Sequence, residues 1–180
     1  MRFVRFALPA AATLLLVLAL ARPASMDAYR VARHFGFIAA PPPLQAGDRL
    51  VLAGLNTLDG STAELQASGH PMVINIFATW CAPCNSEVHD LSVAARALHA
   101  RHIEVVGIDR AEPAAVVAAY AARNRLAFPL YVDRAEVTNA RLAARFIPTT
   151  VFVNADGTIR EIYAGPLNSK AFIALATPRS

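Results

Sequence analysis

The chain has 180 residues, enough for one compact domain and only a very small second one. With 56% hydrophobic and 17% charged residues it can bury a core, which excludes a disordered chain. The net charge of +4 comes entirely from residues 1–49, so the neutral remainder offers no basic face to nucleic acid. Two cysteines, Cys81 and Cys84, are too few for a disulfide-stapled scaffold, and any cysteine role is local and chemical.

Residues 1–5 carry Arg2 and Arg5, and residues 6–21 form an almost unbroken apolar run closed by Arg22 and Pro23. A charged start followed by an apolar stretch is the pattern of an export signal. About sixteen helical residues span about 24 Å, short of a hydrocarbon core of about 30 Å unless Arg5 snorkels and Phe3 and Val4 lengthen the span. Ala19-Leu20-Ala21 fits a small-x-small cleavage site. Residues 1–21 are therefore a signal anchor or a cleaved signal peptide, and either way the body is expected outside the cytoplasm. Residues 22–46 read as a stalk with Pro41-Pro42-Pro43, which favours extended polyproline backbone. Residues 47–178 read as the folded domain.

Within it, residues 50–55 alternate loosely and run into Asn56 and Asp59-Gly60, a strand ending in a turn. Residues 62–67 read as a short helix with Ser61 as its N-cap. Residues 72–78 (MVINIFA) have the unbroken apolarity of a central strand buried on both faces. From residue 82 to 100 the apolar positions Val88, Leu91, Ala95 and Leu98 recur at spacings of three and four, an amphipathic helix. Residues 104–109 form another buried strand, and Pro113 opens a helix that runs to about Arg125. A strand over 128–132 and a helix over 136–145 follow. Strands over 149–153 and 158–163 then flank the hairpin turn Asn154-Ala155-Asp156-Gly157, and a helix over 169–176 closes the chain. Strand–helix alternation ending in a hairpin predicts an α/β fold, a central mixed sheet with helices on both faces.

Trp80-Cys81-Ala82-Pro83-Cys84 falls where a buried strand ends and a long helix begins. A cysteine there faces unpaired N–H groups and the positive end of the helix dipole, about half a charge, so its thiolate is favoured. Cys84, one turn on, is near enough for an internal disulfide, and Pro83 stiffens the first turn at no cost in hydrogen bonds. Half of a zinc site would need two more ligands, with only His89 close in sequence. A passive disulfide over so short a loop would stabilise little.

At this point the chain resembles the thioredoxin superfamily, specifically the exported, membrane-tethered thiol–disulfide oxidoreductases of the TlpA/ResA type. The resemblance covers residues 50–175 and rests on FATWCAPC, on FIPTTVFVNADG and on the layout between them. It implies a thioredoxin-like fold with a helix and a strand inserted between Asp109 and Pro148. It implies a catalytic pair, Cys81 attacking and Cys84 resolving, with a cis Ile147–Pro148 bond beside it. Trp80, Pro83, Ile147, Pro148 and Thr149 would then form the surface that meets the partner. Asn75 stands where plain thioredoxins keep a buried aspartate. Glu87, on the helical face of Cys84, matches the acid this branch carries instead. The residues alone leave Glu87 open between proton relay and solvated acid, and Trp80 open between exposed platform and core aromatic.

The resulting expectation is a periplasmic reductant of disulfides in exported proteins, recharged by a membrane electron carrier and needing no cofactor. Residues 6–21 would hold it to the inner membrane. By resemblance the clients are apocytochrome c thiols or copper-centre cysteines of an oxidase, although Pro148-Thr149-Thr150 departs from the Pro-Glu-Thr loop of the dedicated cytochrome c subgroup. Two rivals remain. A copper chaperone would use Cys81, Cys84 and a distant histidine such as His70 or His102. A thiol peroxidase would need a threonine three residues before its cysteine, and Thr79 stands two before Cys81.

Overall fold

The computed structural model describes residues 42–177, so the expected signal or anchor and most of the expected stalk lie outside the described residues. The first elements are β1 (Leu52–Thr57), β2 (Thr62–Leu65) and β3 (Met72–Phe77), followed by α1 (Ala82–His99) and β4 (Glu104–Asp109). Next come α2 (Ala114–Asn124), β5 (Leu130–Val132) and α3 (Val137–Leu142). A hairpin of β6 (Thr149–Val153) and β7 (Ile159–Ala164) leads to the closing α4 (Ser169–Ala176). The strands form one sheet of order β2-β1-β5-β4-β3-β6-β7. Its centre, β3, β4 and β5, is parallel, and an antiparallel hairpin is attached at each side. This is the expected mixed sheet, with α2 and β5 as the helix and strand between Asp109 and Pro148. Among the described residues no helix is long and apolar enough to cross a membrane.

β3 lies at the centre of the molecule because each of its residues is buried. Its two-residue period divides them. Met72, Ile74 and Ile76 pack with Leu52, Leu142, Val151 and Ile159 on one face. On the other face Val73 packs against Leu91, Leu98 and Phe172, and Phe77 against Val117 and Tyr120. At about 25 cal/mol per Å² of buried apolar surface, each fully buried Leu, Ile or Phe contributes about 1.5–3 kcal/mol. Asn75 is the polar exception on β3 and shares the face of α1. Since β3, β4 and β5 run parallel, their C-terminal ends open on one edge, where Phe77 pairs with Asp109 and Asp109 with Val132. The loops at that edge carry the chemistry.

Several local expectations change. Residues 62–67 are not a helix; residues Thr62–Leu65 pair with β1, Leu65 opposite Leu52. Gly60 turns the chain at φ +92°, and Ser61 serves that turn rather than a helix cap. Its carbonyl accepts the Thr57 N–H at 2.9 Å, and its own N–H donates to Asp59. So short a helix would leave most of its backbone groups unpaired, whereas the ladder pairs them. The helix expected over 136–145 shrinks to Val137–Leu142 between Glu136 (φ 53°) and Ala143 (φ 49°). Its start is capped from outside by Asp133, whose carboxylate accepts the N–H groups of Val137 and Thr138 at 2.7 and 2.8 Å. β5 begins at Leu130 because Pro129 has no N–H to donate. Pro113 is the N-cap of α2 rather than its first helical residue. Leu44, assigned to the stalk, donates its N–H to the Arg141 carbonyl at 2.6 Å and packs on the core.

Candidate active site

Cys81 is the N-cap of α1, with extended backbone (φ −77°, ψ 111°), and its Sγ accepts the N–H of Cys84 at 3.2 Å. The sulfur thus occupies the place that a serine or aspartate oxygen takes at other helix starts. The first turn of α1 carries no acidic residue, so no side-chain charge offsets the helix dipole there. Cys81 and Cys84 are joined as a disulfide with Cα atoms 5.2 Å apart. Pro83 is exposed at the rim of the same turn. The Ile147–Pro148 bond is cis, and the Ile147 carbonyl oxygen lies 3.7 Å from Cys81 Sγ. The chain's two long-separated motifs therefore meet at the sulfur.

The rim is aromatic. Trp80 is 69% exposed, which removes the core-aromatic alternative. Phe146, unrecognised in the sequence, is 76% exposed and adjoins Ile147, whose carbonyl lies by Cys81 Sγ. The signal available for Phe146 was its place in Arg145-Phe146-Ile147-Pro148, directly before the proline. Ile147 is half-buried and Pro148 buried. Thr149 is buried and donates its hydroxyl to the Phe146 carbonyl at 2.7 Å, so its side chain shapes the loop from within.

Behind the sulfurs lies a polar group enclosed by the core. Glu87 is 3% exposed, which removes the solvated-acid alternative. One carboxylate oxygen accepts the Asn75 amide at 2.9 Å and the other the Leu167 backbone N–H at 2.8 Å. Asn75 also donates to the Thr150 hydroxyl at 3.2 Å, so it is a satisfied buried amide that fixes Glu87. Burial drives the Glu87 carboxyl from 4.5 up to about 7; the bonds from Leu167 and Asn75 hold it back, and Asp90 adds a small push. Glu87 and Cys84 both line a cavity of about 10 Å³, room for about one water molecule, walled by Phe77, Tyr120 and Phe128. Tyr120 stacks on Phe77 with ring centroids 5.6 Å apart. The inserted helix α2 thus contributes Tyr120 to the wall of the cavity that Cys84 and Glu87 of α1 line.

The other candidate ligands lie elsewhere. His70 and His102 stack on each other, ring centroids 6.2 Å apart, before the starts of β3 and β4 and thus at the edge opposite the cysteines. Among the described residues no group of three His, Cys, Asp or Glu side chains is placed to hold a metal ion. Thr79 donates its hydroxyl to Glu112 at 2.8 Å and is committed there rather than to a sulfur. A concavity of about 500 Å³ lies along the far half of α1 between Arg96, His99 and Phe128 and contains no cysteine.

Comparison with known proteins agrees with this geometry. Residues 46–162 match the AhpC/TSA family. The thiol-disulfide oxidoreductase ResA of Halalkalibacterium halodurans is 25% identical over 151 residues, covering 82% of this chain and 86% of that protein. The thioredoxin-like protein YneN of Bacillus subtilis is 30% identical over 131 residues, 71% of this chain and 76% of that one. A secreted Mycobacterium tuberculosis disulfide oxidoreductase, described as homologous to Escherichia coli DsbE, superposes with a TM-score of 0.57 at 26% identity, over 68% of this chain and 92% of that one. With the fold thioredoxin-like and the disulfide at a helix mouth, the chain belongs to the AhpC/TSA family and is a thiol–disulfide oxidoreductase of the ResA type.

Proposed function

We propose that the protein reduces disulfides of exported partner proteins outside the cytoplasm, with Cys81 as the attacking sulfur and Cys84 as the resolving one. The Cys81 thiolate attacks one sulfur of the partner disulfide. That bond breaks, a mixed disulfide forms, and the second partner sulfur leaves as a thiolate that takes a proton from solvent. Cys84 passes its proton through a water to the Glu87 carboxylate. The Cys84 thiolate then attacks Cys81 Sγ, the bond from Cys81 to the partner breaks as the internal disulfide closes, and the freed partner sulfur takes the proton held by Glu87, so the partner departs as a dithiol. Two electrons and two protons from a membrane thiol carrier restore the enzyme.

The observation that carries this reading is the cavity shared by Cys84 and a buried carboxyl lifted to about 7, poised to take and return a proton near neutral pH. The aromatic rim supports a protein rather than a small-molecule substrate. The location rests on residues 6–21 as anchor or signal, with Arg2 and Arg5 on the cytoplasmic side, and is consistent with a relative described as secreted. Cysteines of exported haem- or copper-binding proteins are the client class that the resemblance favours.

The test is capture. Cys84→Ser in the full chain leaves Cys81 unresolved and should accumulate mixed disulfides with exported proteins on non-reducing gels. Stronger capture by Cys81→Ser would reverse the roles. A reduction potential of the Cys81–Cys84 pair near about −270 mV supports a reductant, and one near about −120 mV makes the protein an oxidant. An alkaline phosphatase fusion at Ser180 should be active, and an inactive fusion beside an active cytoplasmic reporter would move the domain to the cytoplasm.

A further inference from the structure

A pair of carboxyl groups, separate from Glu87, lies under the nucleophile's loop and takes no part in the thiol chemistry above. β4 ends at Asp109, paired with Phe77 at the end of β3. The chain then turns through Arg110 and Ala111, and Ala111 holds φ +66°, a left-handed conformation unfavourable for alanine. The turn swings Glu112 back onto Asp109, whose Oδ1 accepts the Glu112 N–H at 2.8 Å. The Glu112 carboxylate reaches across to the loop before Cys81, where it accepts the Thr79 N–H at 2.6 Å and the Thr79 hydroxyl at 2.8 Å. The Thr79 carbonyl accepts the Asn85 amide at 3.1 Å, so each polar group of Thr79 is tied. A strained turn persists only where its surroundings hold it, and here the contact to Thr79 acts together with the bonds from the Arg110 N–H to the Phe77 carbonyl at 3.0 Å and from the Ala111 N–H to the Asp109 carbonyl at 3.1 Å.

Asp109 itself is fully buried, and its Oδ2 has no hydrogen-bond partner among the described residues. A bare carboxylate oxygen in that position would carry its full desolvation cost beside another carboxylate, whereas a proton on it removes both penalties. We propose that Asp109, as a neutral acid, and Glu112, as a carboxylate, form a one-proton pair that latches Thr79-Trp80-Cys81 in the position from which Cys81 attacks, and that loss of the proton loosens the latch. Both are positioning residues, acting on the sulfur through Thr79.

The titration directions agree. Burial, then the neighbouring Glu112 carboxylate and its charge, lift Asp109 to about 7, while the bond from the Glu112 N–H pulls it down. Glu112 is pushed up by partial burial but held below the usual carboxylate range by Asp109 and Thr79. Other ionisable groups on the elements meeting at this edge include Arg110 on the same turn, Tyr131 on β5, Asp133 and Arg134 after it, Tyr120 and Arg123 on α2, and Glu87, His89 and Asp90 on α1. The Asp133 carboxylate is spent on the start of α3. Tyr120 feels the charges of Glu87, Arg123 and Glu112, so Glu87 is the group whose titration must be separated from that of Asp109.

Trp80, the one tryptophan of the chain, adjoins Thr79 and reports on the latch. In the oxidised full-length protein no thiol titrates, and Trp80 fluorescence should change through a transition centred near pH 7. Glu87→Gln should keep the transition and Asp109→Asn should lose it. With reduced protein and glutathione disulfide, Asp109→Asn should match the parent at pH 6 and attack faster per thiolate above pH 8. Thr79→Ser keeps both donors and should behave as the parent, while Thr79→Val loses the hydroxyl bond and should slow attack about tenfold, the equivalent of one charge-assisted hydrogen bond. A transition that survives Asp109→Asn, or equal rates for Thr79→Ser and Thr79→Val, overturns the proposal. The Thr79 pair decides it if Asp109→Asn does not fold. The proposal rests on Cys81 being the attacking sulfur; failed capture by Cys84→Ser would count against the function and leave the fluorescence result standing.

Discussion

Replacing Glu87 by glutamine separates a cost in stability from a gain in chemistry. The carboxyl rises from 4.5 in the unfolded chain to about 7 in the fold, chiefly through burial. The folded protein therefore binds the proton more tightly, and stability falls as pH rises from 4.5 through about 7. Below that window Glu87 costs nothing; above it the full penalty applies. At 1.36 kcal/mol per pH unit the penalty is at most about 3 kcal/mol. Glutamine has no charge to desolvate, but it offers one acceptor oxygen where Asn75 and Leu167 now use two, a loss of about 1 kcal/mol. Glu87→Gln should thus be about as stable as the parent at pH 5, where the two effects nearly cancel, and more stable by about 2 kcal/mol at pH 8.5. Urea unfolding of both oxidised proteins at several pH values measures this, and the Asp109 contribution cancels in the difference. The same variant should release partner mixed disulfides about a hundredfold more slowly near neutral pH, the usual worth of a placed general base. Parallel stability curves for the two proteins between pH 5 and 8.5 would refute the claim that Glu87 titrates in the folded state.

Gly107→Ala should destabilise the domain by about 1–3 kcal/mol in urea unfolding. A Cβ there would lie 2.6 Å from Leu130 Cδ2 and 3.1 Å from the Phe77 ring, and the shift would pass on to Tyr120. Trp80→Ala and Phe146→Ala remove surface-exposed rings and should leave unfolding within about 0.5 kcal/mol of the parent. Both should weaken capture of protein partners by Cys84→Ser while sparing the reaction with glutathione disulfide. Equal losses on both substrates would mean that the rings support the loop rather than the partner.

Much of the molecule was legible because it is written in short-range chemistry. The apolar run of β3, the three-and-four spacing of α1 and the Asp-Gly turn of the last hairpin are local signals, and the elements formed there. The cysteine pair was legible for the same reason, since a helix mouth and a three-residue spacing are both properties of one segment. Residues 62–67 misled because so short a segment contains no period of its own and is decided by the β1 edge beside it.

What the tertiary structure alone decided is the setting of that pair. Glu87 looks from the chain like any acid near a helix start; only the packing of Asn75, Leu167, Tyr120 and Phe128 around it removes water and moves its proton affinity. Asp109 and Glu112 carry no motif, and their hold on Thr79 exists because parallel pairing brings the ends of β3 and β4 to one edge. Phe146 is an ordinary apolar residue until the fold leaves it uncovered beside the sulfur. Local sequence specifies backbone and reactive atoms, but burial, and with it pKa and exposure, depends on residues tens of positions away that meet only when the sheet closes.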